Sequence, residues 1–436
     1  MIRFTTRDLI WLYFWLLIFE GALRKWIVPQ FSSILLIIRD PVVILIYLTS
    51  FRSGIFPWNI WTLILMVVGI LMFMVSLFLP ESNLVVVCYG FRTNVLHLPL
   101  IFIIGKLMTG EHFLKMGKTI IKLILPIAIL MAAQFLSAPD SWINIAAGGE
   151  GSQIEGTAGN IRPPGTFSYI TGAAEFLALG GAFLIAYFLS SGILSTRQLV
   201  YGAVGISIAL SVSISRLALS YSFLVVLMMF VYVFFRPHNI NRMVGIVMIG
   251  GLFFVILLNF DFMQKGLSAF SDRIEGASQV EGGASGFFDR VLSDYITPIQ
   301  LMTDIPLNGY GLGNGTSAGA HLISGESVFL LAEGEWNRVL LESGPILGIA
   351  FIGWRVLFTL WLGLMSLQAA ISGYPFPILI FGACNQLLLI GQISRATTLG
   401  FLVFGAGMCL AAINHCHFDL QKRAQNRKYP VSNKIG

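Results

Sequence analysis

Apolar runs long enough to cross a hydrocarbon layer of about 30 Å as helices recur from one end of the 436-residue chain to the other. Water does not reach the interior of such a layer, so a crossing segment must satisfy its own backbone, which restricts it to helices or a closed barrel. Runs of this length exclude a soluble fold and argue against a barrel. They fall near residues 8 to 23, 31 to 50, 59 to 79, 84 to 105, 119 to 137, 168 to 190, 198 to 214, 217 to 235, 243 to 260, 345 to 367, 374 to 392 and 396 to 413. With 56% hydrophobic and 11% charged residues, the expected fold class is all-α, a polytopic membrane protein of about 12 transmembrane helices.

One long hydrophilic stretch interrupts the pattern. Residues 261–345 hold 11 of the 21 acidic residues against four basic ones, which makes this segment the place for aqueous chemistry. The chain divides accordingly into spans one to nine (1–260), a large polar loop with short helices (261–344), spans ten to twelve (345–413) and a basic tail (414–436). Arg3 and Arg7 precede the first run, but Glu20-Gly21-Ala22-Leu23-Arg24 offers no small-x-small cleavage site, so an uncleaved first span is expected. Cys88, Cys384, Cys409 and Cys416 lie in spans or at the tail with no CxxC spacing, giving no disulfide framework or metal site.

Lysine and arginine gather in cytoplasmic loops because positive charge beside a span resists translocation. Arg3, Arg7, Arg52, Lys106, Lys115, Lys118, Lys122, Arg197, Arg236, Arg242 and the tail from Lys422 to Lys434 fall on one side if twelve spans alternate. Both termini are then cytoplasmic, and the acidic loop after span nine lies outside. The net charge of +6 is thus a membrane address; a nucleic-acid partner would want basic residues beside aromatic platforms, and none is expected.

Eight basic residues oppose that bias: Arg24, Lys25, Arg162, Arg216, Arg273, Arg290, Arg338 and Arg395. Singly, each is explained by an acidic neighbour or a helix end. Together they point to an anionic substrate at the outer surface, since the guanidinium fork matches phosphate oxygens. Arg162-Pro-Pro-Gly165-Thr-Phe167 makes a rigid turn before a span, and Glu175 a turn or two inside that span must face protein or water. Ser213-Ile-Ser215-Arg216 breaks an apolar stretch too long for one crossing, which puts Arg216 at the tip of a tight outer hairpin. Arg39-Asp40-Pro41 reads as a structural ion pair at a kink, and Arg92, His97 and Arg355 as buried polar contacts.

Within the loop, Gly309-x-Gly311-x-Gly313 follows no strand, so it is a flexible turn with open backbone amides rather than a nucleotide fingerprint. Glu335, Arg338 and Glu342 share one helix face at three- and four-residue spacing, a pattern that a solvated ladder already explains.

Taken in order, these segments resemble the O-antigen ligase and O-antigen polymerase superfamily of bacterial envelope glycosyltransferases, GT-C-like membrane enzymes. The resemblance covers roughly residues 140–365. Its parts are Arg162 with Gly165-Thr166-Phe167, the Ser215-Arg216 pair, Arg290 ahead of Asp304-x-Pro306-Leu-x-Gly309-x-Gly311, and Asn337-x-x-Leu340-x-x-x-Gly344-x-x-Leu347-Gly348. Proteins it resembles act on a glycan carried by a polyprenyl diphosphate at the outer face of the inner membrane. The resemblance implies that the polar loop is periplasmic, that Arg162, Arg216 and Arg290 bind the diphosphate, and that the loop supplies a base. Family members commonly carry His-Asn where this chain has Trp336-Asn337, so Glu335 or His321 becomes the candidate base.

Transfer from such a donor needs a hydroxyl nucleophile, removal of its proton and stabilisation of charge on the departing diphosphate. Arginines supply the last without a metal, and no paired Asp-x-Asp marks a metal site. The expected catalytic set is Glu335, Arg216 and Arg162, with Arg290, Asn337, Arg338 and His321 binding substrate, no cofactor, and a single inverting displacement. Expected partners are the lipid-linked donor, a glycan or lipid acceptor, membrane lipids and other polysaccharide export proteins. Loss of the family histidine favours a polymerase of repeat units over a ligase that moves finished glycan to a lipid or protein. A lipid-linked sugar flippase is the rival from another class, against which stand the absent internal repeat and the polar mass in one loop.

Overall fold

The computed structural model describes residues 5–428, apart from positions 81, 150, 152, 154–160, 191, 258, 261–263, 266, 269–270, 272–294, 299, 301, 303–304, 326–330 and 333; it does not describe the side chains of 253–254, 256–257, 324 and 417–428. Arg273, Arg290, Asp304 and much of the expected 261–344 loop, including all of 272–294, therefore lie outside the described residues. What is described is helical, and no strand occurs among the described residues.

The helices begin where the sequence offers caps. Thr5 and Asp8 form a capping box at the start of α1 (Thr6–Ala22). Asn59 caps α4 (Ile60–Leu77), Asn83 caps α5 (Leu84–Phe91), and Ser195 with Gln198 boxes α9 (Thr196–Val212). Ser215 accepts from the Ala218 amide and starts α10 (Arg216–Phe235). Between these lie α2 (Ser32–Leu35), α3 (Arg39–Arg52), α6 (Leu100–Leu107), α7 (Glu111–Leu136) and α8 (Ile170–Ser190). After α11 (Ile240–Leu257) come α12 (Ser317–Ser324), α13 (Glu335–Ile371), α14 (Pro375–Ile390) and α15 (Ala396–Lys428).

Seven helical segments are long and apolar enough to cross a membrane, or up to eight if the pair Pro29–Leu35 and Arg39–Arg52, bent by 41°, is one span. This is a multi-pass membrane protein in outline, and the twelve expected runs are not all matched by such helices. The run at 84–105 is broken by a π-turn at Arg92–Leu96. α9 and α14 are apolar but short: the 16 residues of α14 reach about 24 Å.

The first 21 residues of α15 form the axis of the bundle, with 94% of its most apolar window buried. They pack on α6, α14, α8 and α13, while α10 packs on α14 and α8, and α7 on α9. Small residues let backbones meet: a Cβ at Gly205 would come within 3.0 Å of the Leu125 backbone, and one at Gly382 within 3.1 Å of the Leu224 carbonyl.

Basic residues separate between the two ends of the bundle. At one end Arg7 donates to Leu107 O, Arg236 to Ile371 O and Arg242 to Leu189 O. At the other, Arg24 reaches Ser168, Lys25 reaches Gly165 O and Arg39 reaches Ala396 O.

Candidate functional site

The second end gathers the residues of interest, and its geometry starts with the Pro-Pro-Gly turn. Gly165 has φ 62°, a conformation suited to glycine. Its amide donates to Gln134 Oε1 at 2.8 Å, and its carbonyl accepts from Lys25 Nζ at 2.6 Å. Arg24 adds a bond to Ser168 Oγ at 3.0 Å, and Gly21 lies flat on the backbone from Thr166 to Ser168. The turn that carries Arg162 is thus clamped by α1 and α7.

Half-buried Arg162 comes near Arg216. Burial first, and the Arg216 charge second, hold its guanidinium below the ordinary arginine pKa, and its Nε is buried with no hydrogen-bond partner. Arg216 opens α10, where the helix dipole is itself positive. The preceding Ile214 has φ 45°, the only positive φ at a non-glycine among the described residues. A β-branched residue held there costs about 1–3 kcal/mol. Two guanidinium groups, a helix N-terminus and a strained connection converge, and such an arrangement suits an anion.

The structure sorts the eight stranded basic residues. Arg24 is paired with Ser32, Ser168 and, at 3.8 Å, Glu20. Lys25 is consumed by the Gly165 turn. Arg338 is fully engaged: Nε and Nη2 donate to Glu335, Nη1 to Glu342 at 2.7 Å and Nη2 to Asn94 at 2.9 Å. Arg162 precedes α8, Arg216 opens α10 and Arg395 precedes α15, while Arg273 and Arg290 are outside the described residues.

The Glu335-Arg338-Glu342 ladder forms as spaced, but it is buried, not solvated. Glu335 Oε1 also accepts from Arg355 Nη1 at 2.8 Å, and Arg355 spends its other donors on the carbonyls of Leu387, Leu388 and Gly391. Both Glu335 oxygens are therefore occupied by guanidinium donors in a dry setting. The expected base is thus held in an ion network with Arg338 and Arg355. Arg338, expected to bind substrate, is likewise the hub of this brace.

Glu342 Oε1 accepts from the Gly315 amide at 2.9 Å, while the amides of Tyr310 and Gly311 donate to the carbonyls of Leu341 and Glu342. Leu312 N donates to Ser76 Oγ at 2.9 Å. The Gly-x-Gly-x-Gly run is thus pinned between α4, α5 and α13, and these amides are not open for an anion. His321 is exposed on α12. Trp336 donates from Nε1 to Leu389 O at 2.7 Å, and Asn337 Oδ1 is buried without a hydrogen-bond partner.

A second buried polar chain crosses α1, α3 and the α5–α6 break. Arg39 donates to Glu20 at 3.2 Å and to Tyr13 at 3.4 Å, Tyr13 meets His97 Nδ1 at 3.3 Å, and His97 Nε2 meets Asp40 at 2.9 Å. Arg92 grips both Asp40 oxygens. Arg39 and Asp40 thus bind different partners instead of each other, while Arg92, His97 and Arg355 are the buried polar contacts expected. An apolar cavity of about 310 Å³ lies between α8, α9, α10 and α11, lined among others by Leu177, Leu184, Ile206, Val225 and Ile246.

Comparison with family models, with curated proteins and with solved structures finds no match for this chain.

Proposed function

We propose that this chain is a glycosyltransferase that polymerises polyprenyl-diphosphate-linked oligosaccharide repeat units at the outer face of a bacterial inner membrane. In this reading the chain crosses the bilayer twelve times with both termini cytoplasmic, and residues 261–344 form a periplasmic loop. What supports it is Arg162, its Nε buried without a hydrogen-bond partner, within electrostatic reach of Arg216 at the head of α10. Two guanidinium groups meeting at a helix N-terminus balance the charge of a diphosphate without a metal. The apolar cavity flanking α10 offers the isoprenoid tail a place beside that headgroup.

An acceptor hydroxyl attacks the anomeric carbon, the carbon–oxygen bond to the diphosphate breaks with its electron pair leaving on the phosphate, and the anomeric centre inverts. Arg162 and Arg216, joined by Arg290 from the loop, take up the growing charge. Since Glu335 is tied to Arg338 and Arg355, proton removal falls to His321, exposed on α12.

Purified protein in proteoliposomes, supplied with polyprenyl-diphosphate oligosaccharide, should lengthen the glycan, and Arg216→Ala should abolish this while the protein stays folded. Elongation onto an added lipid acceptor alone would mean a ligase. A second reading, translocation of the lipid-linked sugar, draws on the buried chain from Glu20 through Arg39, Tyr13 and His97 to Asp40, since intramembrane ionisable residues mark transport paths. Translocation without any product would establish it.

A further inference from the structure

Arg395 stands on the turn from α14 into α15, exposed, with its backbone carbonyl accepting from the Leu399 amide. Its guanidinium has no hydrogen bond or ion pair to any described residue. Beneath it lies Glu175 on α8, 2% exposed. One Glu175 oxygen accepts from Thr398 Oγ1 at 2.6 Å, and the other, Oε2, is buried with no hydrogen-bond partner. Arg395 is near enough to act electrostatically on both Glu175 and Tyr221. Tyr221 belongs to α10, the helix that Arg216 opens, and Glu175 belongs to α8, the helix that follows the Arg162 turn. Arg216 opens α10, Arg395 immediately precedes α15, and Arg162 lies on the turn leading to α8; α8 packs on both α10 and α15, and the Thr398–Glu175 bond joins the first turn of α15 to the second turn of α8.

We propose that Arg395 is the third arm of the anion site, that it engages the phosphate group farther from the lipid, and that Glu175, through its unpartnered Oε2, is the positioning residue that accepts from its guanidinium. The inference rests on the reading of Arg162 and Arg216 as a diphosphate grip and adds what that grip selects. A monophosphate is satisfied by two guanidinium forks. A diphosphate presents a second phosphoryl group, and a third fork distinguishes the two. The arm also gains most when the glycosyl bond breaks, because the leaving diphosphate then carries one more negative charge than the donor.

The test uses full-length protein in nanodiscs of uncharged lipid, titrated with a short-chain polyprenyl diphosphate and separately with the monophosphate. Arg395→Ala should weaken diphosphate binding about ten- to hundredfold while changing monophosphate binding by less than about threefold. Arg395→Lys should recover part of the loss, and Glu175→Gln should reduce the diphosphate preference without abolishing it. An Arg395→Ala protein that binds both lipids as the parent does, or loses both equally, overturns the proposal. Arg162→Ala and Arg216→Ala serve as the reference: if they weaken diphosphate binding and Arg395→Ala does not, only the third arm fails. If none of the three changes binding, the diphosphate grip itself fails. Unchanged melting temperature of each variant, and an unaltered preference in Glu175→Gln, would separately remove Glu175 from the positioning role.

Discussion

Arg162, on the turn before α8, and Arg216, at the head of α10, stand close enough that one charge bears on the other across two separate outer connections. Replacing either by alanine should cost turnover about a hundred- to a thousandfold, by analogy with removing one donor to a developing oxyanion. The assay is glycan elongation in proteoliposomes, with melting temperature as the fold control, and an active Arg216→Ala protein would refute the grip.

Glu335 and Arg338 make a different prediction. Arg338→Ala would leave Glu335 and Glu342 as buried carboxylates short of their main partner, a loss of about 3–5 kcal/mol. It should appear as a lowered melting temperature and poor recovery of folded protein. Glu335→Gln separates brace from base: activity should fall only in step with the folded fraction, whereas a folded but inactive protein would restore Glu335 to the chemistry.

Lys25 makes stability depend on pH. Burial pushes its ammonium pKa down from 10.5 to about 7. The unfolded chain therefore binds more protons between those values, and stability rises with pH across that window. The contribution is complete above the unfolded value and lost as pH falls through about 7. Thermal melts of the parent against Lys25→Met from pH 6.5 to 10.5 should show the difference growing in favour of the parent at up to about 1.4 kcal/mol per pH unit. A flat difference would contradict the burial.

Gly21 tests the clamp on the Arg162 turn. A Cβ there would stand 2.3 Å from the Ser168 nitrogen and 2.5 Å from the Thr166 carbonyl. Gly21→Ala should destabilise by about 1–3 kcal/mol and also weaken diphosphate binding, since α1 and the turn must part. Gly353→Ala, with nothing within 4 Å of its added carbon, is the control that should leave both unchanged.

Much of this architecture was legible because bilayer physics writes itself into local patterns: apolar runs, caps such as Ser215, and the break at Ser213-Ile214-Ser215. The ladder from Glu335 to Glu342 was legible as spacing but not as burial, because Arg355, which turns it into a closed network, reaches Glu335 only across the sharp break at Gly344, where φ is 75°. Arg39 and Asp40 are adjacent in sequence, yet their partners Glu20 and Arg92 come from other helices, and no short-range pattern carries that information. The glycines at 309–313 looked free for the same reason: the carbonyls that occupy their neighbours lie on α13. Among the eight misplaced basic residues, only tertiary contact could tell that Arg24, Lys25 and Arg338 are bound to buried neighbours.

The left-handed backbone at Ile214 bears on the helix that follows it. Glycine in its place would remove the steric penalty and loosen the link from α9 to α10 at once. By retaining a branched side chain there, the chain gives up some thermal resilience and obtains a connector with few alternative shapes, so that the head of α10, with Arg216, is held in one orientation.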